Sequence, residues 1–265
     1  MRIAYFDCFS GISGNMTLGA LVDAGLEIER LRTELARLPL SGYALSPEKV
    51  RRGGLGGTFV WVNVAETSTE RYLEDIEKII NTSDLADRVK QLSLRTFYNL
   101  AEVEARIHNT PIDRLHFHEA DAVDAIVDIV GTVAGLWLMD IESVYASPVH
   151  VGHGTIRCGH SILPVPAPAT LELLRGVPIY GRDVDAELVT PTGAAILTTI
   201  VEEFGTAPPM QVEKIGYGAG MKDHPQLPNL LRVSIGTTWN RAGSLPQAHP
   251  SPPDPPVLHT EKAKG

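Results

Sequence analysis

The chain has 265 residues, 23 of them basic and 32 acidic, for a formal net charge of −9. That length fills one large or two ordinary domains, and the acid excess, with no basic cluster interleaved with aromatics, excludes nucleic acid as a partner. Two cysteines, no apolar run of spanning length and an N-terminus that turns polar too early for a signal peptide predict a cytoplasmic protein with neither disulfide framework nor membrane partner.

Residues 3–6 read as a strand, residues 7–15 as a turn-rich loop, and residues 16–24 as a helix closed by Gly25. A strand, a glycine loop and a helix open an α/β unit. A helix over 31–38 follows, then strand-like alternation over 43–64 around the glycine run 53–57, and helices over 72–80 and 85–108. The next helix starts at His118 or Glu119 and ends near Asp140; it is apolar on most of its circumference, which predicts burial. Short strands punctuated by glycine occupy 144–165, proline presets a helix at 169–174, a further helix covers 194–204, and the last ordered stretch is 211–235. Beyond Gly236 the prolines predict a disordered tail over 237–265. No repeat of solenoid length occurs. The expected fold is α/β, with mixed sheets, packed helices and a buried helix after the His-x-His-Glu segment, all within residues 1–236 as one or two subdomains.

Three constellations carry chemistry. At the head of the apolar helix, Asp121, Asp124 and Asp128 follow His118 at helical steps and form one stripe, with Glu119 beside its start. Like charges on a buried face need protonation, basic partners or a metal ion, and histidine mixed with carboxylates suits nickel, zinc, copper or iron. The plainer alternative places Glu119 and Asp121 at the positive end of the helix and pairs the lower aspartates with arginines. His116 and His118 alternate, so an extended segment points both to one side, while His150, His153 and His160 lie in glycine-rich strands further on. The candidate metal ligands are therefore His116, His118, Glu119, Asp124, Asp128, His150, His153 and His160, although their spacing matches no standard zinc motif. His108, His224, His249 and His259 read as surface residues.

The second constellation is the loop from Asp7 to Asn15. Ser10, Gly11, Ser13 and Gly14 ahead of a helix can seat a phosphate or carboxylate, with no lysine where a P-loop requires one. A tight turn without a ligand is the alternative. The third is Thr190-Pro191-Thr192-Gly193, where Thr190 and Thr192 offer hydroxyls to an anion; an N-cap with proline before it is the simpler reading and the favoured one. Cys8 and Cys158 sit beside candidate loops, but the sequence places no base to make either a nucleophile.

With these segments in view, the chain resembles the LarC-type nickel insertion proteins. The resemblance rests on Phe6-Asp7-Cys8-Phe9-Ser10-Gly11-Ile12-Ser13-Gly14, on His118-Glu119 through Asp124 to Asp128-Ile129-Val130-Gly131, on Gly154-Thr155-Ile156-Arg157-Cys158 with Leu163-Pro164-Val165-Pro166-Ala167-Pro168, on Thr190-Pro191-Thr192-Gly193-Ala194, and on Gly216-Tyr217-Gly218-Ala219-Gly220. It implies a nickel chelatase of the lyase class that inserts nickel into pyridinium-3,5-bisthiocarboxylic acid mononucleotide, forming nickel–sulfur and nickel–carbon bonds with CTP and manganese or magnesium. The product would mature the nickel-pincer cofactor of lactate racemase, so apo-lactate racemase is the implied recipient. Nickel must be delivered by exchangeable oxygen and imidazole ligands, the mononucleotide phosphate needs a seat such as the Ser10 to Gly14 loop, and Glu119 or His118 would accept the ring proton.

Two positions depart from the family pattern: Asn15 stands where aspartate is usual, and Asp121 adds a charge to a usually small neutral pair. The family's full form is longer, with a C-terminal region to which nucleotide binding is assigned. By resemblance this chain is the N-terminal portion and would turn over with a separately encoded C-terminal partner; self-association into a homo-oligomer stays open. Two rival readings are a nickel-binding or storage component without catalysis, and a metal-dependent hydrolase of a small phosphorylated substrate.

Overall fold

A computed structural model of the chain describes residues 1–65, 71–117, 119–158 and 161–239, with the backbone alone at 116, 117, 119–121, 158 and 161. Strand β1 (Arg2–Asp7) leads through the glycine loop into helix α1 (Gly14–Asp23), which begins two residues ahead of its apolar pattern because Ser13 caps it. Helix α2 (Ile28–Leu35) precedes a long hairpin of β2 (Tyr43–Arg52) and β3 (Leu55–Val64). Short β4 (Arg71–Tyr72) leads to α3 (Leu73–Asn81) and α4 (Asp87–Ile107), and β5 (His116–Phe117) pairs back on β4 before α5 (Glu119–Leu138). Strands β6 (Ser143–Ala146), β7 (Val149–His150), β8 (Thr155–Cys158) and β9 (Ser161–Pro164) follow, then α6 (Pro168–Leu173) and β10 (Ile179–Tyr180). Helix α7 (Pro191–Ile200), β11 (Val201–Phe204), β12 (Met210–Ala219) and β13 (Leu230–Thr238) complete the described elements.

Seven strands form a mixed sheet in the order β11-β6-β1-β13-β12-β3-β2, with β11, β6 and β1 parallel and β13 antiparallel to β1. Helix α1 lies directly on the backbone of β12: a methyl carbon at Gly218 would come within 1.8 Å of the Met16 carbonyl oxygen. Helix α5 packs on α1 and is buried along nearly its whole described face, from Ala122 and Val123 through Ile126, Ile129 and Val130 to Val133. The expected core helix is thus present, and removing one of its fully buried isoleucines costs about 2–5 kcal/mol. The opposite sheet face is more open along its middle, although Ile3 on it is fully buried. Its row of Tyr5, Ser234 and Ile215 stays partly or well exposed, whereas Phe6 and Val233 on the helix side are sealed.

One expected element divides in two. The helix anticipated over 194–204 ends at Ile200, and Val201–Phe204 becomes an edge strand parallel to β6. The run Thr198-Thr199-Ile200-Val201 is entirely β-branched, which stiffens side chains against helix and favours a pleated edge once β6 offers hydrogen bonds. Similarly, β13 carries the ordered chain beyond residue 235 to Thr238, and the proline-rich stretch from 240 onward lies outside the described residues. No helix of the described residues is long and apolar enough to cross a membrane.

Candidate functional site

In open α/β sheets ligands bind beyond the carboxyl ends of the parallel strands. There, past Asp7 of β1 and Ala146 of β6, two loops remote in sequence clasp each other. Ile12 forms a parallel bridge with Val189; its N–H donates to the Leu188 carbonyl at 3.0 Å, and its carbonyl accepts from Thr190 N–H at 3.2 Å. Gly11 is required for this: it sits at φ 79°, and a methyl carbon there would fall 1.9 Å from the Leu188 oxygen. The two glycine loops read separately in the sequence are therefore one structure, with the N-termini of α1 and α7 beginning side by side.

Each terminus carries its own cap. Ser13 Oγ accepts from Met16 N–H at 3.3 Å and donates to Asn15 Oδ1 at 3.1 Å, while Thr190 Oγ1 accepts from Gly193 N–H at 3.1 Å. An N-cap is present as expected, but it is Thr190, with Pro191 after it as the first helical residue rather than before it, and Thr192 lies half-buried in the first turn of α7. Most first-turn N–H groups of both helices remain without intrahelical acceptors, which makes the clasp a place for negative charge.

The acidic stripe of α5 meets this clasp from beneath. Asp124, Asp128 and Thr132 share one helix face, and Thr132 Oγ1 lies 2.8 Å from Thr17 Oγ1 on α1. A methyl carbon at Gly14, the first residue of α1, would stand 1.9 Å from Asp128 Oδ2, so the carboxyl packs on the loop's last glycine. Asp128 is 3 % exposed, and its Oδ1 has no hydrogen-bond partner among the described residues. Burial, with the charge of Asp124 added, pushes this carboxyl well above the ordinary carboxylate range. The anticipated arginine partner for Asp128 is not found among the described residues.

Two more polar atoms beside the clasp are buried without partners: Ser10 Oγ, and Oε1 of Glu187, the residue preceding Leu188. Burial pushes the Glu187 carboxyl up, against the pull of the Ala167 N–H and the Lys222 charge. Orphaned buried polar atoms are few in native proteins, and each calls for an unseen ion, water or ligand. Three of them belong to the two loops or pack against one of them.

Other predicted residues fare differently. Asp7 forms an ion pair with Arg232 of β13, so its carboxylate is committed to the sheet end. His150 does not serve as the anticipated metal ligand, because both ring nitrogens face backbone: Nδ1 is 2.9 Å from the Phe9 carbonyl, and Nε2 is 2.8 Å from the Arg182 carbonyl. It is 2 % exposed and straps β7 to the loop. His153 is exposed. Among the described residues no three histidine, cysteine or acidic side chains converge to hold a metal ion. His118 and His160, and the side chains of His116, Glu119 and Asp121, lie outside the described residues. Cys8 is buried, with its thiol pushed up by burial and by Asp7, which agrees with its exclusion as a nucleophile.

The residues that sequence reasoning passed over are Tyr180, Arg182, Glu187 and Arg232. Each is a single polar residue in an unremarkable context, and no spacing signal marks it; only the fold brings it to the mouth.

Comparison with known proteins gives one consistent result. Residues 4–256 match the family described as nickel insertion protein. A pyridinium-3,5-bisthiocarboxylic acid mononucleotide nickel insertion protein of Desulfitobacterium hafniense (strain DSM 10664 / DCB-2) is 56 % identical over 236 residues, covering 89 % of this chain and 58 % of the relative. The protein of the same name from Geobacillus kaustophilus (strain HTA426) is 46 % identical over 256 residues, 93 % of this chain and 62 % of the relative. The chain thus spans about three fifths of the length of these relatives. No solved structure matches it.

Proposed function

The chain belongs to the nickel insertion protein family, and on that premise we propose that it takes part in placing nickel into pyridinium-3,5-bisthiocarboxylic acid mononucleotide at the clasp of its two glycine loops. The observation that carries this reading is that buried polar atoms without partners among the described residues occur in the first loop (Ser10 Oγ), beside the second (Glu187 Oε1) and against Gly14 at the start of α1 (the Asp128 carboxyl). A mononucleotide phosphate suits the N-termini, where backbone N–H groups of the Ser10 to Gly14 loop and the Thr190 to Thr192 turn can meet it.

Nickel enters as the divalent substrate. A buried carboxyl with no countercharge among the described residues is unfavourable until a cation arrives, so Asp128, with Asp124 one turn away, supplies oxygen donors from below the loop. Oxygen and imidazole donors exchange readily, as delivery requires, and His116, His118 and Glu119 at the head of the same helix complete the proposed set. In forming the nickel–carbon bond the pyridinium ring loses a proton as the carbon gains the metal, and the proton passes to Glu119 or His118. The clasp lacks a P-loop lysine, so CTP with manganese or magnesium is assigned to a separate C-terminal portion. The pincer cofactor would then pass to apo-lactate racemase, in the cytoplasm.

The test is nickel insertion into the purified mononucleotide, by this chain alone and with CTP, manganese and a C-terminal partner, read as activation of apo-racemase. Product in either arm supports the proposal. Stoichiometric nickel binding with no product in both arms would overturn it in favour of a storage component.

A further inference from the structure

Near the clasp three flat groups are stacked into a column. The imidazole of His150 lies against the Tyr180 ring, centroids 4.7 Å apart and planes within 6°, and the Arg182 guanidinium stands over the Tyr180 ring at 5.4 Å. The inner end is fixed at two points. His150 Nδ1 lies 2.9 Å from the Phe9 carbonyl of the first loop, and Nε2 faces the Arg182 backbone, 2.8 Å from its carbonyl and 3.3 Å from its N–H. The outer end is open: the Arg182 side chain is 72 % exposed, and among the described residues its ionic neighbour is the similarly exposed Asp183 at 3.6 Å.

An exposed arginine ordinarily samples many rotamers, and ordering it on a ligand opposes binding. Here the tyrosine shelf orders it in advance. The arrangement differs from that at Arg232, whose charge is consumed by Asp7. Among the described residues Arg182 is ion-paired only with a solvated carboxylate, and such a pair is weak and easily exchanged for a better anion. A guanidinium presents a planar fork of donors that fits the oxygens of a phosphate monoester two at a time.

We propose that Arg182, held on the Tyr180–His150 column, is the residue that recognises the phosphate monoester of a mononucleotide entering the clasp. The proposal rests on the reading of the clasp as the substrate site, but not on the metal chemistry performed there.

The experiment titrates the full chain, without nickel, with nicotinic acid mononucleotide, with its nucleoside lacking the phosphate, and with inorganic phosphate, by calorimetry. The wild-type chain should bind the mononucleotide more tightly than the nucleoside. Arg182→Gln should weaken the mononucleotide about tenfold and leave the nucleoside unchanged, and Arg182→Lys should recover part of the loss. Asp183→Asn should tighten the mononucleotide, because it removes the competing carboxylate. Equal affinity of Arg182→Gln and wild type for the mononucleotide, an equal loss for mononucleotide and nucleoside, or no measurable binding by the wild type would each overturn the proposal. Inorganic phosphate separates the sources: binding lost in Arg182→Gln places recognition in the phosphate alone. If nickel insertion fails while phosphate binding still depends on Arg182, the catalytic reading falls and this one stands.

Discussion

The two ends of strand β1 are built on opposite terms. At its start the polar groups answer one another: Arg2 N–H donates to Glu142 Oε1 at 2.5 Å, Glu142 N–H returns to the Arg2 carbonyl at 2.9 Å, and Thr238 N–H meets the Met1 carbonyl at 3.0 Å. Only Arg2 Nε is buried there without a partner. At the other end a carboxylate is pressed onto a glycine, two loops touch through backbone alone, and Ser10, Asp128 and Glu187 each hide a polar atom that nothing in the described chain satisfies. Both ends belong to the same central strand, so the contrast is not one of fold quality. Local rules are kept where the chain serves only its own folding and broken where something from outside completes them.

The severest way to break the contrast is Gly14→Ala, which drives a methyl carbon into the Asp128 carboxyl. We expect a loss of about 3 kcal/mol or more in urea unfolding; a change under about 0.5 kcal/mol would mean that the clasp is slack. Next comes His150→Ala. It removes the buried ring that ties the Phe9 carbonyl to the Arg182 backbone and should cost about 2 kcal/mol with nickel stoichiometry unchanged. Lost stoichiometry at constant Tm would restore this histidine to the ligand set.

Asp128→Asn sharpens the comparison through pH. The folded carboxyl titrates above its unfolded counterpart, so its contribution to stability is greatest below the unfolded value of about 3.9 and is lost as pH rises through the folded value. In chelator-treated protein the asparagine variant should therefore gain several degrees on wild type at pH 8 and little at pH 5. Parallel pH curves would show that the carboxylate already has a partner. The smallest effect belongs to the satisfied end: Glu142→Gln should change stability by no more than about 1 kcal/mol, measured by the same melts.

How much of this could be read from the chain depends on how local each signal is. Helix α5 was legible because a long apolar run with polar residues at helical steps is a property of neighbours, whereas the caps at Ser13 and Thr190 stand ahead of the helix starts that the apolar pattern marks and were not read. The split at Ile200 was not, because a β-branched run takes the strand form only when β6 stands beside it. The bridge between Ile12 and Val189 leaves no trace in either loop. His150 sat among glycines as a ligand would, yet the decisive fact was which carbonyls its nitrogens would find, and Phe9 and Arg182 are distant in sequence.

One feature of the sheet bears on how the protein comes to exist at all. Asp7 on β1 is registered against Arg232 on β13, so the middle of the sheet joins the earliest and latest strands of the described chain. Helix α1 and the β2–β3 hairpin can assemble locally, but the strand on which α1 rests, β12, also arrives late. Closing so long a loop is entropically unfavourable, and contacts of this range slow the search for the native state. During synthesis the edge of β1 that receives β13 waits unpaired until nearly all of the described chain has left the ribosome, even after β6 has paired on its other side, a period in which self-association competes with folding.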